Sequence, residues 1–204
     1  MGDAGVRAQL VELAAALYDR GLTPGRTGNL SAAGADGVLV TPTGACLGRL
    51  DPGRLSLVDP AGRHLDGDPP TKELSLHLAL HARGARAVAH VHSPYAVALS
   101  CLTGLDPDAP LPPYTAYFAM RVGRMPLLPY AAPGDPALAD AVAALPPGVR
   151  CALLAHHGSI AAAATAEAAV DAVEEIEATA HVALLLHGRD AWALPAAEAT
   201  RLAQ

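Results

Sequence analysis

Three histidines and one glutamate in this sequence have the types and spacing of metal ligands. His90 and His92 lie two apart at the end of an apolar run, Glu73 lies upstream, and the pair His156-His157 lies downstream. Residues two apart in a β-strand point to the same face, so His90 and His92 can reach one ion if this run is a strand that ends at a cleft. Three neutral imidazole nitrogens and a carboxylate suit a divalent, zinc-like ion. The sequence therefore predicts a metal site whose carboxylate position could be given up to a substrate.

Helices and strands alternate around these residues in a way that predicts a layered α/β domain. Apolar residues at helical spacing, each run followed by a glycine, predict helices over 6–20 and 72–83. Short apolar runs predict strands over 87–92 and 151–156, which carry the histidines near their ends. A long final helix is predicted to begin after an N-cap at Thr165. Shorter elements are predicted at 38–41, 94–101, 127–130 and 135–145.

Three segments of small residues, 28–31, 41–44 and 70–73, have the composition of anion-binding turns. Backbone amides and short side-chain donors in such turns can cradle a phosphate, and the first amides of a helix starting at Lys72 would add to this. Each segment by itself is more typical of an ordinary turn. The three together, around one proposed metal carboxylate, predict a phosphate site.

Composition and charge restrict the class of protein. A length of 204 residues fits one compact domain, and 51% hydrophobic residues with only 3% aromatic ones predict a core of Ala, Val and Leu. No apolar stretch approaches the ~20 residues of a membrane span and no signal peptide is recognisable, so we expect a cytoplasmic protein that contacts no membrane. The net charge of −6 argues against nucleic-acid binding. Cys46, Cys101 and Cys151 are too scattered for a disulfide or zinc framework and are expected to be buried.

Five short motifs occur in a fixed order along most of the chain. They are Gly28-Asn29-Leu30-Ser31, Thr41-Pro42-Thr43-Gly44, Lys72-Glu73, His90-Val91-His92-Ser93 and His156-His157-Gly158. In this order and at these separations they resemble the class II aldolase/adducin family, from about Leu10 to Leu186. The resemblance implies a single layered α/β/α domain over residues 1–204 with a central, largely antiparallel sheet. It also implies a homotetramer with active sites between subunits.

The resemblance implies roles for individual residues. One zinc ion per subunit, or another divalent metal, would be held by the positions that match the family's ligands: Glu73, His90, His92 and His157. The implied ligands of the substrate's phosphate and carboxylate are Gly28, Asn29, Thr43, Gly44, Thr71 and Lys72. Glu73 would in addition move a proton at the reacting carbon.

Lys72 distinguishes this chain from the sugar-phosphate aldolases of the family. Those usually carry two serines directly before the glutamate, where this sequence has Thr71 and Lys72. A cation there suits a small phosphorylated sugar acid, whose carboxylate it could meet. The stretches 22–31, 67–73, 98–102 and 120–127 resemble a decarboxylase branch of the family. This resemblance implies metal-dependent decarboxylation of 3-oxo-tetronate 4-phosphate to dihydroxyacetone phosphate and carbon dioxide through a metal-stabilised enediolate. The alternatives are an aldolase or epimerase acting on another sugar phosphate, and a non-catalytic adducin-like interaction module.

An aromatic hydroxyl is a further participant that the resemblance implies. Tyr117 is the predicted proton donor and Tyr114 the alternative, and packing at a subunit interface is the competing interpretation for Tyr117. Glu73, His77 and His81 share one helix face by their spacing. Of these three, only Glu73 is predicted to bind the metal, with His77 behind the ligands. The remaining histidines expected on the surface or in packing are His64, His81, His181 and His187.

Overall fold

A central β-sheet carries the histidine motifs. A computed structural model describes residues 2–203. Its strands are β1 (Asn29–Ala33), β2 (Val38–Val40), β3 (Ser56–Val58), β4 (His64–Asp66), β5 (Ala87–Val91), β6 (Leu127–Leu128), β7 (Cys151–Leu154) and β8 (Gly158–Ala163). Within the described residues they form one eight-stranded sheet in the order β4-β3-β2-β1-β5-β8-β7-β6. Neighbouring strands are antiparallel, apart from the parallel pair β6 and β7, so the predicted largely antiparallel sheet is confirmed.

Helices cover both faces of the sheet and complete three layers. They are α1 (Asp3–Asp19), α2 (Leu74–Ala82), α3 (Pro94–Ser100), α4 (Ala116–Arg121), α5 (Pro136–Ala143), α6 (Ala166–Leu186) and α7 (Ala196–Leu202), with 3-10 turns at Leu47–Arg49 and Pro52–Arg54. One hydrophobic core lies between the sheet and α1, α3, α4 and α6. The second lies between the sheet and the pair α2 and α5. The predicted α/β/α layering is therefore confirmed.

Strand β5 directs the His-x-His motif toward one of these two layers. Ala87 and Val91 belong to the first core, whereas Val88 belongs to the second. This alternation is the period of two expected of a strand that is buried on both faces. His90 therefore points, like Val88, toward the layer of α2, and Glu73 lies directly before that helix.

The boundaries of several elements differ from the prediction. Helix α6 begins as expected, because the Thr165 hydroxyl accepts a hydrogen bond from the Ala168 amide. Helix α2 begins at Leu74 rather than Lys72, so Glu73 takes the N-cap position with its carboxylate free of any capping bond. The segment 29–33, predicted to start as a turn, is strand β1. It pairs with the neighbouring β2 and with β5, which is distant in sequence, so its local composition gave no sign of the second pairing.

The turn between β7 and β8 brings His157 to the end of β5. His156 has a φ of 56°, a left-handed conformation that is uncommon for a residue with a side chain. As a result His156 is exposed while His157 is buried. Gly158 follows with a φ of 149°, and a Cβ there would lie 2.2 Å from the Val91 carbonyl oxygen. A glycine is therefore needed for β8 to approach β5 where the histidines meet.

Two expectations from composition have different outcomes. Among residues 2–203, no helix combines the length and the apolarity needed to cross a membrane. The expectation of three buried cysteines is wrong, since only Cys151 is buried, while Cys46 is half-buried and Cys101 exposed. Cys101 is the C-cap of α3, where the chain leaves the core.

Replacing Gly158 with alanine should destabilise the fold at this close approach. The added methyl group would meet the Val91 carbonyl, so the free energy of unfolding should fall by about 2 kcal/mol or more. Gly148→Ala is the matched control, because Gly148 has a φ of 80° but open space around a Cβ. That control should lose about 1 kcal/mol for the left-handed backbone alone. Equal losses in urea unfolding would contradict the close-approach argument.

Candidate metal centre

Four side chains from three parts of the fold converge at one point. Glu73 comes from the start of α2, His90 from β5, His92 from the residue after β5, and His157 from the turn between β7 and β8. One ligand atom from each lies within 4.8 Å of the others. The structure thus brings together the four residues that the sequence analysis selected, and it leaves His156 outside.

Several distances between these atoms are close to the edge length of a metal coordination tetrahedron. The Nε2 atom of His90 lies 3.0 Å from that of His92 and 3.3 Å from that of His157. Glu73 places Oε2 3.4 Å from His90 Nε2 and Oε1 3.3 Å from His157 Nε2. Four ligands about 2.0–2.1 Å from a tetrahedral zinc ion are separated by roughly 3.3 Å. The donor set and its spacing therefore fit a divalent ion.

The remaining ring and carboxylate atoms are consistent with this fit. His90 Nδ1 donates to the Ser159 carbonyl at 2.9 Å, which leaves the lone pair of Nε2 facing the cluster. Glu73 Oε1 is buried and has no hydrogen-bond partner among the described residues. A buried polar atom without a partner is costly unless something else satisfies it, and a cation would do so.

The surroundings of these side chains favour the protonation states that metal binding requires. For the histidines the main cause is burial. It lowers the pKa of His92 to about 3 and that of His157 to about 4, so both rings are neutral near pH 7. Burial alone would raise the pKa of Glu73, but His90 and Asn29 outweigh it and hold that pKa well below its ordinary value. Neutral imidazoles and an ionised carboxylate are the forms that bind metal ions.

Asn29 connects strand β1 to the Glu73 carboxylate. Its Nδ2 donates to Glu73 Oε2 at 2.8 Å, and its Oδ1 faces Nε2 of His77. Asn29 was predicted instead to bind the phosphate or carboxylate of the substrate. An amide nitrogen carries two hydrogens, so one remains for a substrate while the other is used by Glu73. Its substrate role stays a prediction.

The three predicted anion-binding segments are neighbours, but two of their amides are already engaged. Pro42 and Pro70 form a β-bridge, and the Thr71 amide donates to the Thr41 carbonyl at 3.2 Å. The Thr43 amide donates to Pro69, so neither Thr43 nor Thr71 has the free backbone amide that was predicted. These bonds hold segments 41–44 and 70–73 against one another.

The exposed parts of these segments remain available to a ligand. Thr43, Gly44 and Lys72 are exposed, and Gly44 is left-handed with open space where a Cβ would stand. Gly28 differs, because a Cβ there would lie 2.8 Å from Thr23 Cγ2 and 3.0 Å from the His90 carbonyl oxygen. Gly28 therefore allows β1 to pack against β5, the strand that carries His90. Direct contact of Gly28 with a substrate stays a prediction.

A cluster of arginines beside Thr43 and Gly44 was not predicted from the sequence. Arg26 donates to the Gly44 carbonyl at 2.7 Å. Together with Arg49 and Arg54 it lines a cavity of about 400 Å³ that also includes Thr43 and Gly44. The position of Arg26 inside a Pro-Gly-Arg-Thr-Gly turn was the signal that could have been used, since such turns present their side chains to solvent.

The aromatic residues lie apart from the cluster of Glu73 and the three histidines. Tyr117 is 60% exposed on α4, and the Arg121 guanidinium lies 5.8 Å from the centre of its ring. Helix α4 packs on α6 and α7, away from α2. Tyr114 is half-buried in the preceding loop. Tyr130, which the sequence analysis did not select, lies edge-on to His156 at 6.1 Å between ring centres.

Three of the other histidines occupy the expected kinds of position. His64 and His187 are exposed, and His181 stacks on Tyr95 with 3.8 Å between ring centres. His77 lies behind the ligands, as predicted, and is fully buried. His81 is half-buried, and its Nε2 lies 2.8 Å from the Ser31 hydroxyl. It belongs to a polar network that its helical spacing alone did not reveal.

Substituting one histidine of the adjacent pair should separate metal binding from the conformation of the turn. His157→Ala removes a proposed ligand, so zinc affinity should fall on the order of 10²-fold or more. His156→Asn is the matched control, since asparagine tolerates the left-handed conformation and His156 lies outside the cluster. Zinc content after dialysis measures both. Full zinc occupancy in the His157→Ala protein would remove that residue from the site.

The buried His77 should make the metal-free protein sensitive to acid. Burial lowers its pKa from 6.5 to about 3. Between these values the unfolded chain takes up a proton that the folded chain does not, so stability falls as the pH falls from 6.5 toward 3. The contribution is about 1.4 kcal/mol per pH unit. His77→Gln should therefore show a shallower loss of unfolding free energy between pH 6.5 and 5, measured with chelator present, and parallel curves would contradict this.

Comparison with protein families places this site in a known context. The family described as Class II Aldolase and Adducin N-terminal domain matches residues 8–184. A protein of Pectobacterium atrosepticum named 3-oxo-tetronate 4-phosphate decarboxylase is 44% identical over 186 residues, which are 90% of this chain and 85% of the relative. An L-fuculose phosphate aldolase of Escherichia coli O6:H1 is 32% identical over 179 residues, covering 86% of this chain and 81% of the relative.

A solved structure agrees along almost the full length. The crystal structure of YgbL from Klebsiella pneumoniae, described as a candidate aldolase, epimerase or decarboxylase, superposes with a TM-score of 0.95 at 41% identity. The superposition covers 99% of both chains. Sequence, fold and the four-residue cluster thus agree, and the chain belongs to the class II aldolase and adducin family.

Proposed function

We propose that this chain is a zinc-dependent carbon–carbon lyase that decarboxylates 3-oxo-tetronate 4-phosphate to dihydroxyacetone phosphate and carbon dioxide. The observation that carries the proposal is the 44% identity, over 90% of the chain, to a relative named for that reaction. The cluster of Glu73, His90, His92 and His157 supports it, because an adducin-like module without catalysis needs no such donor set.

The reaction requires one carbon–carbon bond to break and its electron pair to be held. The carboxyl carbon C1 is bonded to C2, and C3 is a ketone. When C1 leaves as carbon dioxide, the electron pair moves into an enediolate over C2 and C3, and C2 later takes up a proton. A bound zinc ion would supply the positive charge that stabilises this negative charge.

Glu73 is the residue that we assign to the proton at C2. One of its oxygens, Oε2, accepts a hydrogen bond from Asn29. The other, Oε1, has no such partner within residues 2–203. It would be available to the proton at C2 if the substrate took the place of Glu73 among the ligands of the ion. A positioned carboxylate beside the reacting carbon can act in general acid–base catalysis.

Lys72 is the residue that we assign to the substrate carboxylate. It is the only lysine among the 14 lysines and arginines of the sequence, and it precedes Glu73 directly. Its side chain is exposed and takes part in none of the ion pairs formed within residues 2–203. An ammonium group is a compact charge that can orient the carboxylate until it leaves.

The segments around Glu73 are proposed to bind the phosphate end of the substrate. Gly28, Asn29, Thr43, Gly44 and Thr71 keep the roles predicted from the family resemblance. Arg26, bonded to the Gly44 carbonyl, adds a cation behind that loop. A phosphate held by hydroxyls and a nearby guanidinium does not require the whole protein to be basic.

Tyr117 is proposed to donate a proton to a site on a neighbouring subunit, with Tyr114 as the alternative. Its exposure on α4 supports this assignment, because the hydroxyl is accessible to another chain. The homotetramer and the cytoplasmic location both stay predictions.

The direct test is to incubate the zinc-loaded protein with 3-oxo-tetronate 4-phosphate and to measure carbon dioxide and dihydroxyacetone phosphate in equal amounts. An aldolase or epimerase would instead turn over a ketose phosphate without releasing carbon dioxide. The similarity to an L-fuculose phosphate aldolase makes that the second candidate function. Purification without stoichiometric zinc, together with the absence of either activity, would favour the interaction module.

Lys72 variants should distinguish the decarboxylase from the aldolase. Lys72→Ser removes a charge-assisted contact of about 3 kcal/mol, so kcat/KM for decarboxylation should fall about 10²-fold. Zinc should stay bound. Lys72→Arg keeps the charge and should lose less, and any residual cleavage of a ketose phosphate without a carboxylate should be affected less than decarboxylation. An equal loss of both activities in Lys72→Ser would mean that Lys72 does not recognise the carboxylate.

A further inference from the structure

We propose that His77 is a positioning residue that fixes the side-chain amide of Asn29, so that its NH₂ group faces the proposed metal ligand Glu73. The inference rests on the proposed zinc site. It assigns His77, with Ser31 behind it, a role in tuning that site, although neither residue is among the four ligands.

A continuous line of buried polar contacts runs from Glu73 to Ser31. Asn29 Nδ2 lies 2.8 Å from Glu73 Oε2, and Asn29 Oδ1 contacts His77 Nε2. On the other side of the ring, His77 Nδ1 lies 2.7 Å from the Ser31 hydroxyl. His77 and Ser31 are completely buried, and Asn29 is 5% exposed. Water therefore has little access to replace any of these partners.

The chemistry of the partners determines the direction of each hydrogen bond. An ionised carboxylate only accepts, so the NH₂ end of Asn29 must face Glu73. The amide oxygen then faces His77 and also only accepts, so Nε2 of His77 must carry the hydrogen. A neutral imidazole has a single N–H, which leaves Nδ1 to accept the hydroxyl hydrogen of Ser31. One tautomer of His77 thus corresponds to one orientation of Asn29.

One hydrogen bond can be left unmade at His81, at the far end of this line, but not at Asn29. His81 Nε2 contacts the Ser31 hydroxyl and His81 Nδ1 lies 3.0 Å from the Ala85 carbonyl. Donating to both would require a protonated ring, and burial lowers the pKa of His81. Because His81 is only half-buried, water can satisfy the weaker contact there. The Asn29 end has no such freedom, so it sets the direction.

Loss of the His77 donor should release the Asn29 amide. The amide could then rotate and present its oxygen to Glu73, where two acceptors repel each other. Partners behind metal ligands typically contribute 10–100-fold to metal affinity or activity. Removing the donor while the fold is retained should therefore weaken zinc binding by about tenfold or more.

Two polar substitutions of His77, whose side chains differ by one methylene group, test this. In His77→Gln, the terminal amide nitrogen can replace Nε2 and still donate to Asn29. In His77→Asn, the shorter amide can reach Ser31 but not Asn29. Zinc affinity measured by competition with a chelator should be at least tenfold tighter in His77→Gln than in His77→Asn. Equal affinities in the two variants would overturn the proposal.

A double-mutant cycle shows whether His77 acts through Asn29. With Asn29 already replaced by alanine, His77→Asn should cause no further loss of zinc affinity. An undiminished loss in the Asn29→Ala background would overturn the proposal. If His77→Asn does not fold, Ser31→Ala serves in its place, since it removes the hydroxyl that holds the His77 ring in position through Nδ1. It should weaken zinc binding in the wild-type background and have no effect in the Asn29→Ala background.

The wild-type protein separates this inference from the proposed function. If wild type binds no zinc, the proposed function fails before His77 is tested. If wild type binds zinc and the two His77 variants bind it equally, only the positioning role fails. Thermal midpoints of the metal-free variants provide the structural control. A purely structural His77 would lower these midpoints without separating the two zinc affinities.

Discussion

A carboxylate buried beside three imidazoles is the arrangement to which the rest of the structure is adapted. Glu73 is only 6% exposed, and an ionised group in such a place is costly unless opposite charge or hydrogen bonds compensate. The Asn29 amide on β1 donates to this carboxylate directly. The rings at the end of β5 and on the β7–β8 turn would hold, together with Glu73, the cation that balances its charge. The fold therefore has to bring these elements to the N-terminus of α2.

Small residues make this convergence possible. Strands β5 and β8 pair through alanines along much of their length, and Ala87 lies opposite Ala163 and Ala89 opposite Ala161. Such strands leave room for α6 to pack closely on one face, which frees the other face for α2 and the polar cluster. Gly158 and Gly28 serve the same purpose on either side of β5, because each stands where a Cβ would collide with the backbone that carries the histidines. The low aromatic content of the sequence is thus a condition of the site as well as a property of the core.

The sequence predicted those features that depend on local spacing. The period of two in β5 put His90 and His92 on one face, and the cap at Thr165 located the start of α6. Features that depend on long-range pairing were missed. Segment 28–31 has the composition of a turn, and most of it lies in strand β1, which pairs with the distant β5. The network position of His81 and the contact of Arg26 with Gly44 likewise depend on segments distant in the chain. The ligand set was assigned through family resemblance, since spacing alone did not choose between His156 and His157.

The roles of Glu73, His77 and His81 on α2 become clear only from their contacts with strand β1. Residues four apart on a helix advance about 6 Å along its axis, and residues two apart on a strand advance about 6.8 Å. The two periods nearly match, so Asn29 can contact both Glu73 and His77, and Ser31 both His77 and His81. Viewed on the helix alone, the three residues resemble a stripe of metal ligands. Against β1, only Glu73 lies beside the first strand residue, Asn29, and next to the histidine cluster. The two helical histidines instead contact the strand side chains Asn29 and Ser31.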